Sequence, residues 1–268
     1  MVEKQIPITE SCLTADFKNG VMYIPHTSVD GIKPTLCLKD IVSNERYFIV
    51  GERESFMSNY SAVNEMETGN AAKIMLEGVG FPVHHHSGVI VEMAGQTRMD
   101  TDALLIHSGA NDGCFVPDLE KVSSDEDALL VFKGTLFAFE IKSAFDDDFA
   151  NKRYDDVIKQ LHKHSRVWQD MKKNPKDFKM TTRFGSVLEV NHFINSRYFL
   201  YGVSSPLFNP YLLEKFLSSQ PKILPMCLSG TRFTPVFSKD QSLERVTMGT
   251  LASPLVLFKR LQPFLRIL

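Results

Sequence analysis

The sequence predicts a mixed α/β fold, a sheet flanked by helices, and three stretches carry that prediction. Ser61 to Gly78 keeps the roughly 3.6-residue period of an amphipathic helix. Gly88 to Ile106 reads as two strands joined by a turn. Thr135-Leu136-Phe137-Ala138-Phe139-Glu140-Ile141-Lys142 is an apolar run of the kind that forms a strand covered on both faces. A long helical segment and a further strand follow. The resulting order of helix, strand, strand, strand, helix, strand suits a layered core.

In chain order, residues 1–60 form a β-rich extension, with strands expected at Gly20–Ile24 and Tyr47–Val50. In the helix, Val63, Glu67, Ala71 and Ile74 share one face. Ser58 or Ser61 could cap it, and Gly78 or Gly80 could end it. Glu67 thus falls in the apolar stripe, where an unpaired carboxylate is costly. The hairpin comprises Gly88–Met93, a turn at Ala94–Thr97, and Met99–Ile106. A loop is expected from His107 to about Lys133, with Ser123–Asp127 exposed. Asp146-Asp147-Asp148 suits the N-terminus of the next helix. Tyr154, Val157, Ile158, Leu161, Trp168 and Met171 mark its apolar face, and Asn174-Pro175 ends it. Strands are expected at Val187–Val190 and Tyr198–Val203. Helices are expected at Pro210–Ser218 and Leu251–Leu261, the latter stopped by Pro263. Residues 1–268 read as one domain, with a core at about 60–205 and a C-terminal extension at 206–268.

Composition bounds the function. The 268 residues are 43% hydrophobic and 23% charged, the usage of a folded globular chain. No apolar run approaches the ~20 residues of a membrane span, so no membrane partner is expected. Glu3 falls early in MVEKQIPITE, which lacks the apolar core of a secretory signal. Cys12, Cys37, Cys114 and Cys227 are dispersed and form no CxxC pair. That argues against a zinc knuckle or disulfide scaffold and leads us to expect an intracellular protein of the cytoplasm or nucleus. The formal net charge of −2 excludes a uniformly basic coat but allows a local basic face.

The residues that carry chemistry are Asp102 and the Glu140-Ile141-Lys142 tripeptide. Glu140 and Lys142 are two apart on a strand and point to one face; Asp100 and Asp102 share a parity on the strand before. If those strands are neighbours, Asp102, Glu140 and Lys142 converge. Two carboxylates and the Ile141 carbonyl would make hard oxygen donors for Mg²⁺ or Mn²⁺. Lys142 beside them could orient a water for attack at phosphorus, while the cation neutralises developing charge. Pro117-Asp118 also precedes Glu140 and competes with Asp102. We prefer Asp102, because it opens the β-prone run Ala103–Ile106, whereas Asp118 leads into the loop-like Leu119–Ser124.

This arrangement resembles the PD-(D/E)XK nuclease superfamily. There an aspartate opens the second core strand, here within Met99–Ile106, and E-x-K lies on the third, here within Phe137–Ser143. The resemblance covers about residues 60–205 and implies a restriction-endonuclease-like core. A glutamate on the helix before the hairpin is matched best by Glu67, with Glu65 second, and would aid metal binding. In the RecB and lambda-exonuclease-like branch, the helix after E-x-K carries a glutamine followed four residues later by tyrosine. Gln160 matches, and would support the site or touch the nucleic-acid backbone; His164 stands in the tyrosine's place. The resemblance implies a metal-dependent nuclease, DNA ahead of RNA as substrate, with endonuclease and exonuclease action both open. Two alternatives stay open: an RNA endonuclease or RNA-end-processing enzyme on the same core, and a non-catalytic nucleic-acid-binding or assembly protein.

Other features have plainer readings. His84-His85-His86 fits a solvent-facing strand start; only His84 and His86 could share an ion. Lys152, Arg153, Lys159, Lys163 and Arg166 begin a basic stretch, either the solvated face of a helix or a phosphate-contacting face beside the site. Trp168 lies on the apolar stripe and reads as core. Gly109–Gly113 lacks P-loop spacing, and no GxSxG occurs, so neither nucleotide hydrolysis nor serine-hydrolase chemistry has support.

Overall fold

The computed structural model describes residues 3–7, 21–24, 36–40, 46–50, 68–107, 115–142, 150–183, 185–205, 210–220, 222–229, 232–238 and 253–268. The elements in chain order begin with β1 (Glu3–Pro7), β2 (Val21–Ile24), β3 (Leu36–Asp40) and β4 (Arg46–Val50), then α1 (68–77), β5 (Val83–Met93), β6 (Gln96–His107), α2 (Asp125–Lys133) and β7 (Thr135–Ile141). Next come α3 (Ala150–Lys173), β8 (Phe178–Thr182), β9 (Val187–Leu188), α4 (Asn191–Ile194) and β10 (Tyr198–Ser205). The last are α5 (Pro210–Ser218), β11 (Leu224–Ser229), β12 (Arg232–Pro235), α6 (Pro254–Leu261) and β13 (Leu265–Ile267). Among the described residues the strands form two sheets. The first has the order β1-β4-β3-β2. The second runs β12-β11-β10-β7-β6-β5-β8-β9, with β13 also paired to β10. In the second sheet β10 is parallel to β7 and β11, and the remaining pairs are antiparallel. The chain is therefore α/β, with a mixed, mostly antiparallel sheet flanked by helices. No helix among the described residues is long and apolar enough to cross a membrane.

Local sequence explains the elements that frame the site. Ala94 and Gly95 close the β5–β6 hairpin, both at positive φ (52° and 75°). Such a two-residue turn matches the right-handed twist of the strands, and glycine takes that conformation without steric cost. β7 is buried along its whole length, as its unbroken apolar sequence requires. On one face α3 and α5 bring Val157, Leu161, Trp168, Leu212 and Phe216 against Leu104, Leu136, Ala138 and Tyr201. On the other, α1, α2 and α6 bring Leu76, Phe132 and Leu257 against Ala103, Leu105, Phe137 and Phe139. Burying a side chain such as Leu or Phe contributes about 1.5–3 kcal/mol, so the two layers clamp β7 and leave its end as the place where polar groups emerge. Gly202 is needed where it stands: a Cβ there would lie 2.4 Å from the Phe139 ring on the neighbouring strand.

Several expectations need correction. The buried face of α1 is Thr68, Ala72, Met75 and Leu76, whereas Ala71 is only partly buried and Ile74 is 41% exposed. Both series fit a helical period; the one with Met75 and Leu76 buries more apolar surface. Val63, Glu65 and Glu67, together with Asp146–Asp148 and Gly109–Gly113, lie outside the described residues. The expected loop before Lys133 contains α2, opened by a reciprocal capping box between Ser124 and Asp127. Phe178–Thr182, expected as no element, is strand β8 with alternating burial, while the expected strand Val187–Val190 shortens to Val187–Leu188. Residues 206–268 supply β11, β12 and β13 to the main sheet, beside the expected helices α5 and α6.

Candidate active site

The site forms where β6 and β7 part. Their ladder pairs Leu105 with Phe137, Leu104 with Ala138 and Ala103 with Phe139. The next step in that register sets Asp102 opposite Glu140, and directly opposed residues of antiparallel strands share a face. There the Asp102 side chain replaces the backbone ladder: its Oδ2 accepts the Ile141 N–H at 2.8 Å. β10 continues beside β7, pairing Val203 with Glu140 and Ser204 with Ile141. The Lys142 N–H donates to the Ser204 carbonyl at 2.8 Å. The site thus lies at the carboxyl ends of two parallel strands, where helices leave polar groups accessible.

Glu140 is 5% exposed and its partners come from several elements. Lys142 Nζ donates to Oε1 at 2.5 Å, from a side chain that keeps 22% of its surface exposed. The Tyr201 hydroxyl, from β10, donates to Oε2 at 3.4 Å. Gln160, from α3, also hydrogen-bonds the carboxylate. Burial and the adjacent Asp102 charge push Glu140 up to about 7, against the opposing pull of Lys142 and Gln160. A carboxylate so placed is costly to ionise without a positive partner.

Behind it sits a buried aromatic pair. His164 is 1% exposed and meets the Tyr201 ring edge to face, centroids 5.2 Å apart. Its ring bonds the Asp100 backbone, and Nδ1 has no partner among the described residues. Burial holds the His164 ring down at about 4, against the pull of Asp100. On the far side, Thr68 Oγ1 lies 2.6 Å from Ser204 Oγ, both buried, which ties the described start of α1 to the end of β10.

Asp102, Glu140, Lys142 and Gln160 are therefore brought together, with the Ile141 backbone between them. Asp118 is not among them. It pairs with Arg197 and, at 2.8 Å, with Lys121. Arg197 precedes Tyr198, whose strand partner is Thr135, so Asp118 belongs to the opposite end of β7. Glu67 lies outside the described residues. Lys159, Lys163 and Arg166 are exposed on α3, one residue round from Gln160 and His164, and Lys159 has Asp156 at 3.8 Å. The backbone of Lys152 and Arg153 is helical. Further along, Lys172 is spoken for: its Nζ donates to the Ser196 carbonyl at 2.6 Å. Trp168 stacks on Phe193 within the core. On β5, His84 is exposed, with its ring 6.5 Å from that of His86, while burial and the charges of His86 and Lys73 hold His85 down at about 4.

Tyr201 was not singled out by the sequence, and His164 stood out only as a departure from a motif. Parity within Tyr198–Val203 and the four-residue spacing from Gln160 to His164 are the signals available. Both become informative only once β10 is known to be parallel to β7.

The donor set fits a hard divalent cation. Asp102 and Glu140 supply carboxylate oxygens whose mutual repulsion a cation would relieve. Gln160 Oε1 is buried without a hydrogen-bond partner among the described residues, on a side chain already held to Glu140. Among the described residues no group of three or more His, Cys, Asp or Glu is placed to hold an ion, so a third acidic ligand would have to come from elsewhere. Comparisons with protein families, with characterised proteins and with solved structures return no match to this chain.

Proposed function

We propose that this protein is a Mg²⁺- or Mn²⁺-dependent nuclease that hydrolyses phosphodiester bonds, with DNA ahead of RNA as substrate. The observation that carries the reading is the meeting of Asp102, Glu140 and Lys142 where β6 and β7 part. The succession α1, β5, β6, β7, α3 and β10, with α2 inserted before β7 and β8, β9 and α4 inserted before β10, and with β10 parallel to β7, supports a restriction-endonuclease-like core of the PD-(D/E)XK type. Asp102 and Glu140 would hold the cation, with the Ile141 carbonyl and Glu67 as further candidate ligands. Bound there, it would neutralise charge developing on the phosphate.

The chain's own groups do the rest. Asp102 is fixed by the Ile141 N–H, so one oxygen has a set direction before any ligand arrives. Gln160 holds Glu140 from the helix side. Lys142 reaches both the carboxylate and solvent, so its ammonium can turn from Glu140 Oε1 to hold an attacking water and the phosphate oxygen beside it. Lys152, Arg153, Lys159, Lys163 and Arg166 would contact phosphates along the substrate, giving salt-dependent binding.

The test is a cleavage assay on linear and circular duplex DNA, single-stranded DNA and RNA. Hydrolysis is expected with Mg²⁺ or Mn²⁺ and is expected to stop in EDTA. Salt-dependent binding without metal-dependent hydrolysis of any substrate would replace this reading with a non-catalytic nucleic-acid-binding role.

A further inference from the structure

We infer that Tyr201 is a positioning residue for metal binding: its buried hydroxyl fixes the Oε2 side of Glu140, and His164 braces the Tyr201 ring from α3. The inference rests on the proposed role of Asp102 and Glu140 as metal ligands and adds to it a residue that touches neither substrate nor metal.

The geometry is specific. Tyr201 is fully buried, and a phenol hydroxyl in that position is costly unless it is hydrogen-bonded. Glu140 Oε2 is 3.4 Å away and accepts from it. Oε1 faces the other way, toward Lys142, which is partly exposed. The two oxygens are therefore divided between an interior anchor and an outward-facing partner. A carboxylate held by one oxygen has a restricted rotamer and presents the other to whatever enters from solvent. Burial and the neighbouring carboxylates keep the Tyr201 phenol protonated well above its usual range, so it remains a donor.

His164 completes the brace. Its ring packs edge to face on Tyr201, and with Nδ1 unpartnered among the described residues, the ring's bond to Asp100 runs through Nε2. Asp100 is two residues from Asp102 on β6. A single buried path thus joins the strand of Asp102, helix α3, strand β10 and the carboxylate of Glu140. Gln160 donates to the same carboxylate one helical turn before His164. α3 therefore sets Glu140 both directly and through Tyr201.

The test is calorimetric titration of Mn²⁺ into the full chain, without substrate, for the wild type and Tyr201→Phe. Thermal melting in EDTA and cleavage across a metal series accompany it. Tyr201→Phe removes one oxygen and keeps the ring that packs on His164. We expect its Mn²⁺ dissociation constant to rise by about 10-fold, the half-saturating metal concentration for cleavage to rise in parallel, and the rate at saturating metal to stay within about two-fold. An unchanged dissociation constant beside a wild type that binds Mn²⁺ and cleaves would overturn the positioning role and leave the nuclease reading standing. A lower melting midpoint with unchanged metal affinity would reduce Tyr201 to a structural residue. A wild type that binds no Mn²⁺ would overturn the metal site and this inference together.

Discussion

The two ends of β7 carry similar residues and opposite physics. At its start, Asp118 lies near the surface, shared between Arg197 and Lys121, while Arg197 also donates to the Val116 carbonyl and the Tyr198 hydroxyl to that of Pro117. Those pairs hold the Asp118 carboxyl below the usual range, Lys121 contributing first. At its finish, Glu140 is buried beside Asp102 and pushed the other way, up to about 7. The first end is satisfied within the chain. The second keeps two carboxylates close and a partly exposed amine on top of them. Groups held in an unfavourable ionisation state mark candidate functional sites, whereas satisfied surface pairs mark structure.

Substitutions can break this contrast from either end. Asp102→Asn should have the largest effect, lowering metal-dependent cleavage by roughly 10²–10³-fold while leaving the circular dichroism spectrum intact. Cleavage at the wild-type rate would remove Asp102 from the site.

Glu140→Gln should also lose cleavage, yet gain stability. Because burial raises the folded-state carboxyl to about 7 from an ordinary 4.5, the unfolded chain ionises first as pH rises. The contribution of Glu140 to stability is therefore full below about 4.5 and is lost as pH rises toward 7. The amide escapes that loss, so in EDTA at pH 8 the variant should be more stable by about 1–3 kcal/mol, with the gain vanishing near pH 4. Chemical denaturation at the two pH values measures it.

His164 has the opposite sign. Its folded-state value of about 4 lies below the ordinary 6.5, so its contribution is present above pH 6.5 and is lost as pH falls toward 4. His85 shares that direction. His164→Gln should flatten the decline in unfolding free energy between pH 6.5 and 4 by on the order of 2 kcal/mol. An unchanged slope would assign the acid lability elsewhere. The smallest effect belongs to the other end of β7: Asp118→Asn should leave metal-dependent cleavage unaltered and lower the melting midpoint only slightly, because its pairs are solvent-exposed.

How far the sequence could be read follows from which signals are local. β7 and the parity of Asp102, Glu140 and Lys142 were legible, because a strand's two-residue period decides a shared face without tertiary knowledge. The choice between Asp102 and Asp118 turned on which of them leads into a strand, and the register of β6 on β7 sets Asp102 beside Glu140. The α1 face was misjudged because two apolar series compete within one helix, and only packing selects between them. α2 was hidden by its polar start, although Ser124, Asp127 and the apolar residues after them spell a capped helix. β8 alternated legibly at Phe178, Met180 and Thr182 but is short. Tyr201 was out of reach, since its meeting with Glu140 joins residues 61 apart through a parallel pairing that no local pattern encodes.

The most direct test of the central claim is Lys142→Ala assayed beside the wild type, on DNA and RNA of one sequence, in Mg²⁺ or Mn²⁺. The Lys142 side chain bonds the Glu140 carboxylate and keeps 22% of its surface exposed, so the fold should survive its loss. The account predicts wild-type cleavage that EDTA stops, and a folded variant slower by about 10²-fold. A folded Lys142→Ala protein that cuts at the wild-type rate would contradict it.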